Sequence, residues 1–460
     1  MKRLLLLLLT GLLVACSPRL APPQITARAE YLYGEGFSSD TLSLQRDWWR
    51  LFGDTTLNRL VERALAHNRN LQVALSRIEE TRHNLAVVRA SFLPDVGVTL
   101  SAEGNYTKAT KTTQQYAAEW NLSWELPLFE SLKHTSDAAR AEWGQAVWNY
   151  RGVELSLAAE VASIYFTLLQ YERDLLIANR TYTLRRESAS LIDSLFHYGM
   201  ATGVEREQAL SLVYSAEADI PRYRSAVEQT RLSLSVLTGD PPMPFVDEGV
   251  GLELLTDDRP ESLAIGVPSE LLQVRPDIMQ ARFALDAAAA EAGLARSNRF
   301  PSIALTAKAG VGATTIKGLT SSNPFVWNAL GALTQPVFNF KRLKRSEQIA
   351  IERYKQAALN YEQTVLEAFS DVETTLSTIE ANRIETDRYT ELVVAYRHIL
   401  EMAYALYRNG MADYLDVIDA ERTLYTAQME LVNLLAQDYI NYVTLCKALG
   451  GGWRSEAKYP

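Results

Sequence analysis

Residues 342–408 contain neither proline nor glycine, and residues 136–197 contain no proline and only Gly144 and Gly152. Pro and Gly are the residues that stop a helix, so both runs read as unbroken helices. At ~1.5 Å per residue each would reach on the order of 90–100 Å. A helix that long does not fit inside a compact globule. It belongs to a coiled coil or to the wall of a tube. Each run ends at a turn glycine, Gly199 or Gly410, and a second helical stretch then sends the chain back.

The two runs belong to a duplication. Phe92-Leu93-Pro94 is answered by Arg299-Phe300-Pro301, with the prolines 207 apart. Leu126-Pro127-Leu128-Phe129 is answered by Gln335-Pro336-Val337-Phe338 at a spacing of 209, and Tyr198-Gly199-Met200-Ala201 by Asn409-Gly410-Met411-Ala412 at 211. Leu237-Thr238-Gly239 and Ala448-Leu449-Gly450 are again 211 apart. Each half is expected to run helix, strand, strand, long helix, turn, helix. The first repeat is placed at 54–239, a connecting segment at 240–268, the second repeat at 269–449 and a tail at 450–460. Helices are expected over 54–90, 269–298 and 413–449, and strands over 95–106, 116–127, 302–313 and 325–336.

The N-terminus reads as an address. Met1-Lys2-Arg3 precedes six consecutive leucines, and the apolar stretch of ~12 residues is too short to span a bilayer but suits a signal-peptide core. It ends in Leu13-Val14-Ala15-Cys16, which resembles a bacterial lipobox with Cys16 as the lipidated residue. Residues 1–15 are therefore expected to be a signal peptide and 16–53 a lipidated N-terminal segment. Ser17, in place of Asp, fits transport to the outer membrane. Removal of Lys2 and Arg3 takes the net charge from −9 to −11. That balance argues against a nucleic-acid partner. Two Cys and five scattered His argue against a disulfide framework, a metal site or a metal cofactor. No later run approaches ~18 consecutive apolar residues, so no transmembrane helix is expected beyond the signal.

The last helix separates its faces. One seam reads Leu415, Ile418, Arg422, Tyr425, Met429, Val432, Ala436, Tyr439, Val443 and Cys446, and a second reads Val417, Ala420, Leu424, Ala427, Leu431 and Leu434. Between them lies a wholly polar stripe: Asp416, Asp419, Thr423, Thr426, Glu430, Asn433 and Gln437. Two apolar seams mean a neighbour on each side. A stave in a tube wall has that geometry, with the stripe facing water inside. A solvated outer face on a buried bundle helix has it too. The duplicate stripe, Glu205, Gln208, Leu212, Ser215, Asp219, Arg222 and Ala226, is less polar, and Pro221 is expected to kink it.

Three of the expected strands alternate. Val96, Val98, Leu100 and Ala102 interleave with Gly97, Thr99, Ser101 and Glu103; Trp120, Leu122, Trp124 and Leu126 with Asn121, Ser123 and Glu125; and Ile303, Leu305, Ala307 and Ala309 with Thr306 and Lys308. One greasy and one wet face over about ten residues is the pattern of an outer-membrane barrel strand, and a half-buried soluble sheet shares it. The fourth strand does not alternate, and its register is open. Four strands cannot close a barrel in lipid, so the chain is expected to oligomerise. Three copies supply 12 strands and 12 long helices.

The whole mature chain resembles the TolC-like outer-membrane efflux factors, in their lipoprotein subgroup. The resemblance rests on Asp47-Trp48-Trp49 with Phe52-Gly53-Asp54, Leu271-Leu272 with Arg275-Pro276-Asp277-Ile278, residues 407–413, Asp416-Val417-Ile418-Asp419-Ala420, and Ala448-Leu449-Gly450-Gly451-Gly452-Trp453. It implies a homotrimer with a 12-stranded outer-membrane β-barrel continuous with a periplasmic α-barrel. It implies a passive exit duct without enzymatic activity, joined by a periplasmic adaptor to an inner-membrane pump. The resemblance makes Asp416 and Asp419 candidates for the acidic constriction, and puts Glu205 and Tyr407 in the gate as a carboxylate–tyrosine pair. An arginine that some members carry two residues after the turn glycine is Ala412 here. The tips Gly199-Met200-Ala201 and Gly410-Met411-Ala412 match those that meet the adaptor; ordinary turn chemistry would also put glycine there. The duct of a type I secretion system is the alternative. A periplasmic coiled-coil adaptor would lack the distributed strands. An enzyme would need a motif such as Gly-x-Ser-x-Gly or a Walker loop, and none is present.

Overall fold

The computed structural model describes residues 20, 23, 28–34, 37, 44–107, 111–126, 129–241, 265–320 and 324–452. The signal peptide, Cys16, most of the 240–268 connection, and the tail from Trp453 onward lie outside the described residues. The order of elements repeats. The first half holds α1 (Thr55–His67), α2 (Arg69–Ala90), β1 (Asp95–Thr107), β2 (Lys111–Leu126), α3 (Ser131–His197) and α4 (Gly203–Thr238). The second holds α5 (Leu271–Val274), α6 (Pro276–Ser297), β3 (Ser302–Ala313), β4 (Phe325–Thr334), α7 (Arg342–Arg408) and α8 (Tyr414–Ala448). The fold is mainly α with a small β part, in duplicated halves. The two long helices, α3 and α7, are each 67 residues.

Four boundaries correct the sequence reading. The single helix expected over 54–90 is two, because Asn68 leaves the helix at φ −62°, ψ 128°. Its Oδ1 accepts the Leu71 N–H and caps α2, while its Nδ2 donates to the Leu237 carbonyl. The helix expected over 269–298 breaks at Arg275, which is extended (φ −73°, ψ 126°) because it precedes a proline. Strand β2 starts at Lys111, earlier than expected, and pairs with β1 out to Thr107↔Lys111. Helix α3 starts at Ser131. Helix α4 continues through Pro221 to Thr238. A further difference concerns hydropathy. Helix α3 contains an 18-residue window long and apolar enough to cross a membrane by length and composition, although no unbroken apolar run marks it; 61% of that window is buried within the chain.

The chain divides into two compact units. One gathers Leu75–Asn149 and Met279–Thr364, and holds the sheet. Its four strands lie in the order β1-β2-β3-β4, all antiparallel. The ladder settles the register of β4: Ile303↔Leu333, Ala307↔Ala329, Ala309↔Trp327 and Val311↔Phe325. Phe325, Trp327 and Leu333 therefore share the apolar face of Val98, Trp120 and Ala309. Val326 and Leu330 fall on the other face, which is why β4 does not alternate. That second face carries Asn121, whose Nδ2 donates to Thr99 at 2.7 Å, and Lys308, 3.9 Å from Glu119. Leu100, at 78% exposed, and Trp327, at 69%, leave the apolar face uncovered in the single chain. A patch of that kind marks a lipid or protein contact.

The other unit comprises the described residues of Thr26–Ala74, Tyr150–Ile278 and Val365–Pro460. An aromatic cluster holds its N-terminal portion. Trp48 packs edge-on to Trp49 and Phe52, and Phe52 lies against Phe166, which stacks on Tyr439 at 4.8 Å. Asp54 caps α1 through the Thr56 and Leu57 N–H groups and accepts the Tyr165 hydroxyl. The Asp47–Asp54 motif is thus a packing and capping device. Arg275 has an equally definite task. Its buried guanidinium bonds Asp277 at 2.6 Å, Asp371 at 3.0 Å and the Ala448 carbonyl at 2.9 Å, tying α6, α7 and the end of α8 together.

Candidate functional site

The two turns at the helix ends are built alike. Gly199 and Gly410 both have φ 69°, in the left-handed region that favours glycine. The Met200 N–H donates to the Leu195 carbonyl at 2.8 Å, and the Met411 N–H to the Leu406 carbonyl at 3.0 Å, the Schellman closure in both cases. Tyr198, Met200 and Met411 are exposed, while Ala201 and Ala412 are half-buried. The helices that leave the turns start differently. Thr202 and Glu205 form a reciprocal capping box, with Thr202 N–H donating to Glu205 Oε2 at 2.6 Å and Glu205 N–H to Thr202 Oγ1 at 3.2 Å. The duplicate of Glu205 is Asp416, and Asp413 before it makes no side-chain cap. Asp416 and Asp419 are exposed in the first turns of α8, and neither carboxylate has a hydrogen bond or ion pair among the described residues. The helix dipole favours anions at that end.

The polar stripe continues from them. Thr426, Asn433 and Gln437 are exposed, and Thr423 and Glu430 are half-buried. The two threonine hydroxyls bond back to the Asp419 and Arg422 carbonyls, and Asn433 donates to Glu430 at 3.2 Å. Both apolar seams of α8 are largely buried; the departures are Leu415 and Arg422, which are exposed. In the duplicate stripe Leu212 is buried, and Asp219 accepts the Tyr425 hydroxyl at 3.0 Å. Tyr407 lies against Tyr414, with ring centroids 5.3 Å apart. Burial raises the pKa of its hydroxyl, and the charge of Glu205 adds to the rise. Glu205 and Tyr407 are thus electrostatic neighbours, while the hydrogen bonds of the Glu205 carboxylate go to its own capping box.

A buried polar group beside the tips escapes sequence reasoning. Glu421, nine-tenths buried, stands 3.5 Å from the Arg185 guanidinium and accepts the Tyr404 hydroxyl. Ser188 bonds the same hydroxyl at 2.6 Å. Arg185 also donates to the Leu212 carbonyl and lies over the Tyr425 ring at 5.3 Å. The group joins α3, α4, α7 and α8. Burial and the Glu421 charge push the Tyr404 and Tyr414 hydroxyls up, which keeps both protonated, Tyr404 as the donor to Glu421. Its signal was present: Arg185 interrupts the apolar stripe Ala178, Tyr182, Ala189 and Ile192, and Glu421 falls four residues after Val417 on the buried side.

Long paired helices, one with a polar stripe, and a sheet with an uncovered apolar face define a protein whose surface lipid or a partner must cover. The sequence profile described as outer membrane efflux protein matches residues 60–240 and 267–451. The chain belongs to that family of outer-membrane proteins. It is 31% identical over 410 residues to the probable outer membrane lipoprotein SilC of Salmonella typhimurium, covering 88% of each chain. It is 30% identical over 407 residues to the cation efflux system protein CusC of Escherichia coli K12, again covering 88% of each. The open-state crystal structure of the MtrE outer membrane channel of Neisseria gonorrhoeae superposes with a TM-score of 0.85 at 28% identity, covering 96% of this chain and 99% of that one.

Proposed function

We propose that the protein is the outer-membrane component of a tripartite efflux system, a passive trimeric exit duct for small molecules. The observation that carries the reading is the pairing of an open four-stranded sheet with a stave-like α8. Among the described residues strands β1 and β4 are the unpaired edges of the sheet, and an open edge is not tolerated in lipid. Three copies joined edge to edge close a 12-stranded barrel. The stripe from Asp416 to Gln437 then lines the water-filled passage. Asp416 and Asp419 from three copies form the acidic constriction, with Glu205 and Tyr407 beside it in the gate. The tips at 199–201 and 410–412 receive the periplasmic adaptor, which opens them and links the duct to an inner-membrane pump. Cys16 carries the acyl chains that hold the N-terminus in the outer membrane; two or more chains make such an anchor stable. The family match and the relation to SilC and CusC support this reading.

The test is the state of the protein after extraction from outer membranes in mild detergent. The expected particle has the mass of three chains, carries lipid on Cys16 and copurifies an adaptor and a pump. A monomer in the soluble fraction would overturn the reading. A substitution such as Gly410→Trp is expected to abolish crosslinking to the adaptor with the trimer intact.

A further inference from the structure

The segment between β4 and α7 is the most conspicuous surface that the duct itself does not use. It reads Pro336-Val337-Phe338-Asn339-Phe340-Lys341-Arg342-Leu343-Lys344-Arg345. Val337, Phe338 and Phe340 are 90%, 79% and 86% exposed, and the two phenyl rings meet edge to face at 4.6 Å. Lys341, Arg342, Lys344 and Arg345 follow at once, all four exposed and none in an ion pair among the described residues. The dipole of a helix repels cations at its N-terminus, and α7 begins at Arg342 with no acidic residue in its first turn. Four cations there oppose the helix they start.

The duplication supplies an internal control. Counted from the helix starts, Ser131 and Arg342, the residues of the first half that answer these four cations are Glu130, Ser131, Lys133 and His134. The one cation among them, Lys133, is paired with Glu130 at 3.1 Å. Phe129, the counterpart of Phe338, is stacked on Phe300 at 5.4 Å rather than exposed. The fold therefore does not require an aromatic pair or a cationic cluster at this junction. The second half has both, side by side.

We propose that residues 337–345 form a binding surface for the headgroups of anionic phospholipid, with Phe338 and Phe340 seated among the acyl chains and Lys341, Arg342, Lys344 and Arg345 on the phosphates. The inference rests on the reading that β1–β4 lie in the outer membrane. The chain leaves β4 at Thr334 and enters α7 at Arg342, so this segment crosses the boundary between hydrocarbon and water. Aromatic rings favour that level, and long basic side chains extend their heads to the headgroups from it. The unneutralised charge of the cluster is complementary to an anionic lipid and not to a zwitterionic one.

The experiment is native mass spectrometry of the full-length, detergent-solubilised trimer, titrated with phosphatidylglycerol or with phosphatidylcholine. The wild type is expected to retain phosphatidylglycerol at concentrations where phosphatidylcholine is lost, and to lose the preference as ionic strength rises. The K341Q/R342Q/K344Q/R345Q protein is expected to bind phosphatidylglycerol at least about tenfold more weakly, while Lys133→Gln leaves binding unchanged. Should the fourfold variant fail to assemble, K344Q/R345Q is read in its place, with a smaller loss in the same direction. Equal retention of the two lipids by the wild type, or an unchanged preference in the variants, would overturn the proposal. So would protection of Lys341 and Lys344 from amine acylation in a delipidated trimer, which would make this surface a contact between copies. Fractionation of the same samples separates the two readings: a protein in the outer membrane without lipid preference sinks this inference alone, and one absent from the outer membrane sinks the duct.

Discussion

A carboxyl group buried with an oxygen unpartnered destabilises the fold wherever it is charged, and Asp174 on α3 is such a group. It is 4% exposed, and its Oδ1 finds no hydrogen-bond partner among the described residues. Burial pushes its pKa up to about 7, against a smaller opposing effect of Arg222. Between the unfolded value of about 4 and about 7 the folded chain binds the extra proton. Stability from this group is therefore greatest below the unfolded value, falls as pH rises through that window, and is flat above it. Asp174→Asn is expected to raise stability at pH 8 by on the order of 2–4 kcal/mol per chain and to change little at pH 4. Denaturant midpoints followed by helical circular dichroism at the two pH values test this, and an equal gain at both would contradict it. The Arg185–Glu421 pair makes the complementary case. Arg185→Met strands a buried carboxylate and is expected to cost about 3–5 kcal/mol, while Arg185→Met with Glu421→Leu recovers most of the loss. A double-mutant cycle on the melting temperature measures it; additive losses would mean that the two charges do not interact. Arg185 was legible as a cation in an apolar stripe. That Glu421 is its partner was not, because periodicity along one helix carries no information about which distant helix packs against it.

The elements themselves were largely written in the sequence. Helix α7 occupies the Pro- and Gly-free run from Arg342 to Arg408, and β1 and β3 follow their alternation. The misread boundaries are places where another interaction overrides the pattern. Asn68 is tolerated in a helix, yet here its side chain is used for a cap and an inter-helix bond. The polar run Lys111-Thr112-Thr113-Gln114-Gln115 has no alternation, and it is strand because β1 offers it a complete ladder. The register of β4 was hidden because Val326 and Leu330 place apolar side chains on both faces. The glycine turns, by contrast, could be read directly, and they yield a prediction. A Cβ at Gly199 or Gly410 meets no atom within 4 Å, so only the left-handed φ of 69° opposes substitution. Gly199→Ala and Gly410→Ala are each expected to cost about 1 kcal/mol, with faster amide exchange confined to the tips. Unequal costs, or loosening along whole helices, would contradict a purely conformational origin.

For the molecule as a whole, the duplication and the paired long helices made the architecture legible. The polar stripe of α8 made its water-facing side legible too. Exposure in a single chain distinguishes poorly between a lumen and an outer surface, since Asp416, Asp419, Thr426, Asn433 and Gln437 are exposed in either case. The distinction lies in function. If three copies surround one axis, six carboxylates from Asp416 and Asp419 converge on a narrow passage, where like charges concentrate a field that attracts cations. The direct measurement is single-channel conductance in planar bilayers, wild type against Asp416→Ala/Asp419→Ala. The account predicts a cation-preferring wild-type channel blocked by a trivalent cation from the periplasmic side, and a variant that assembles as a trimer but has lost both the preference and the block. Identical selectivity and identical block in the two channels would mean that the stripe faces outward and that these residues line no entrance.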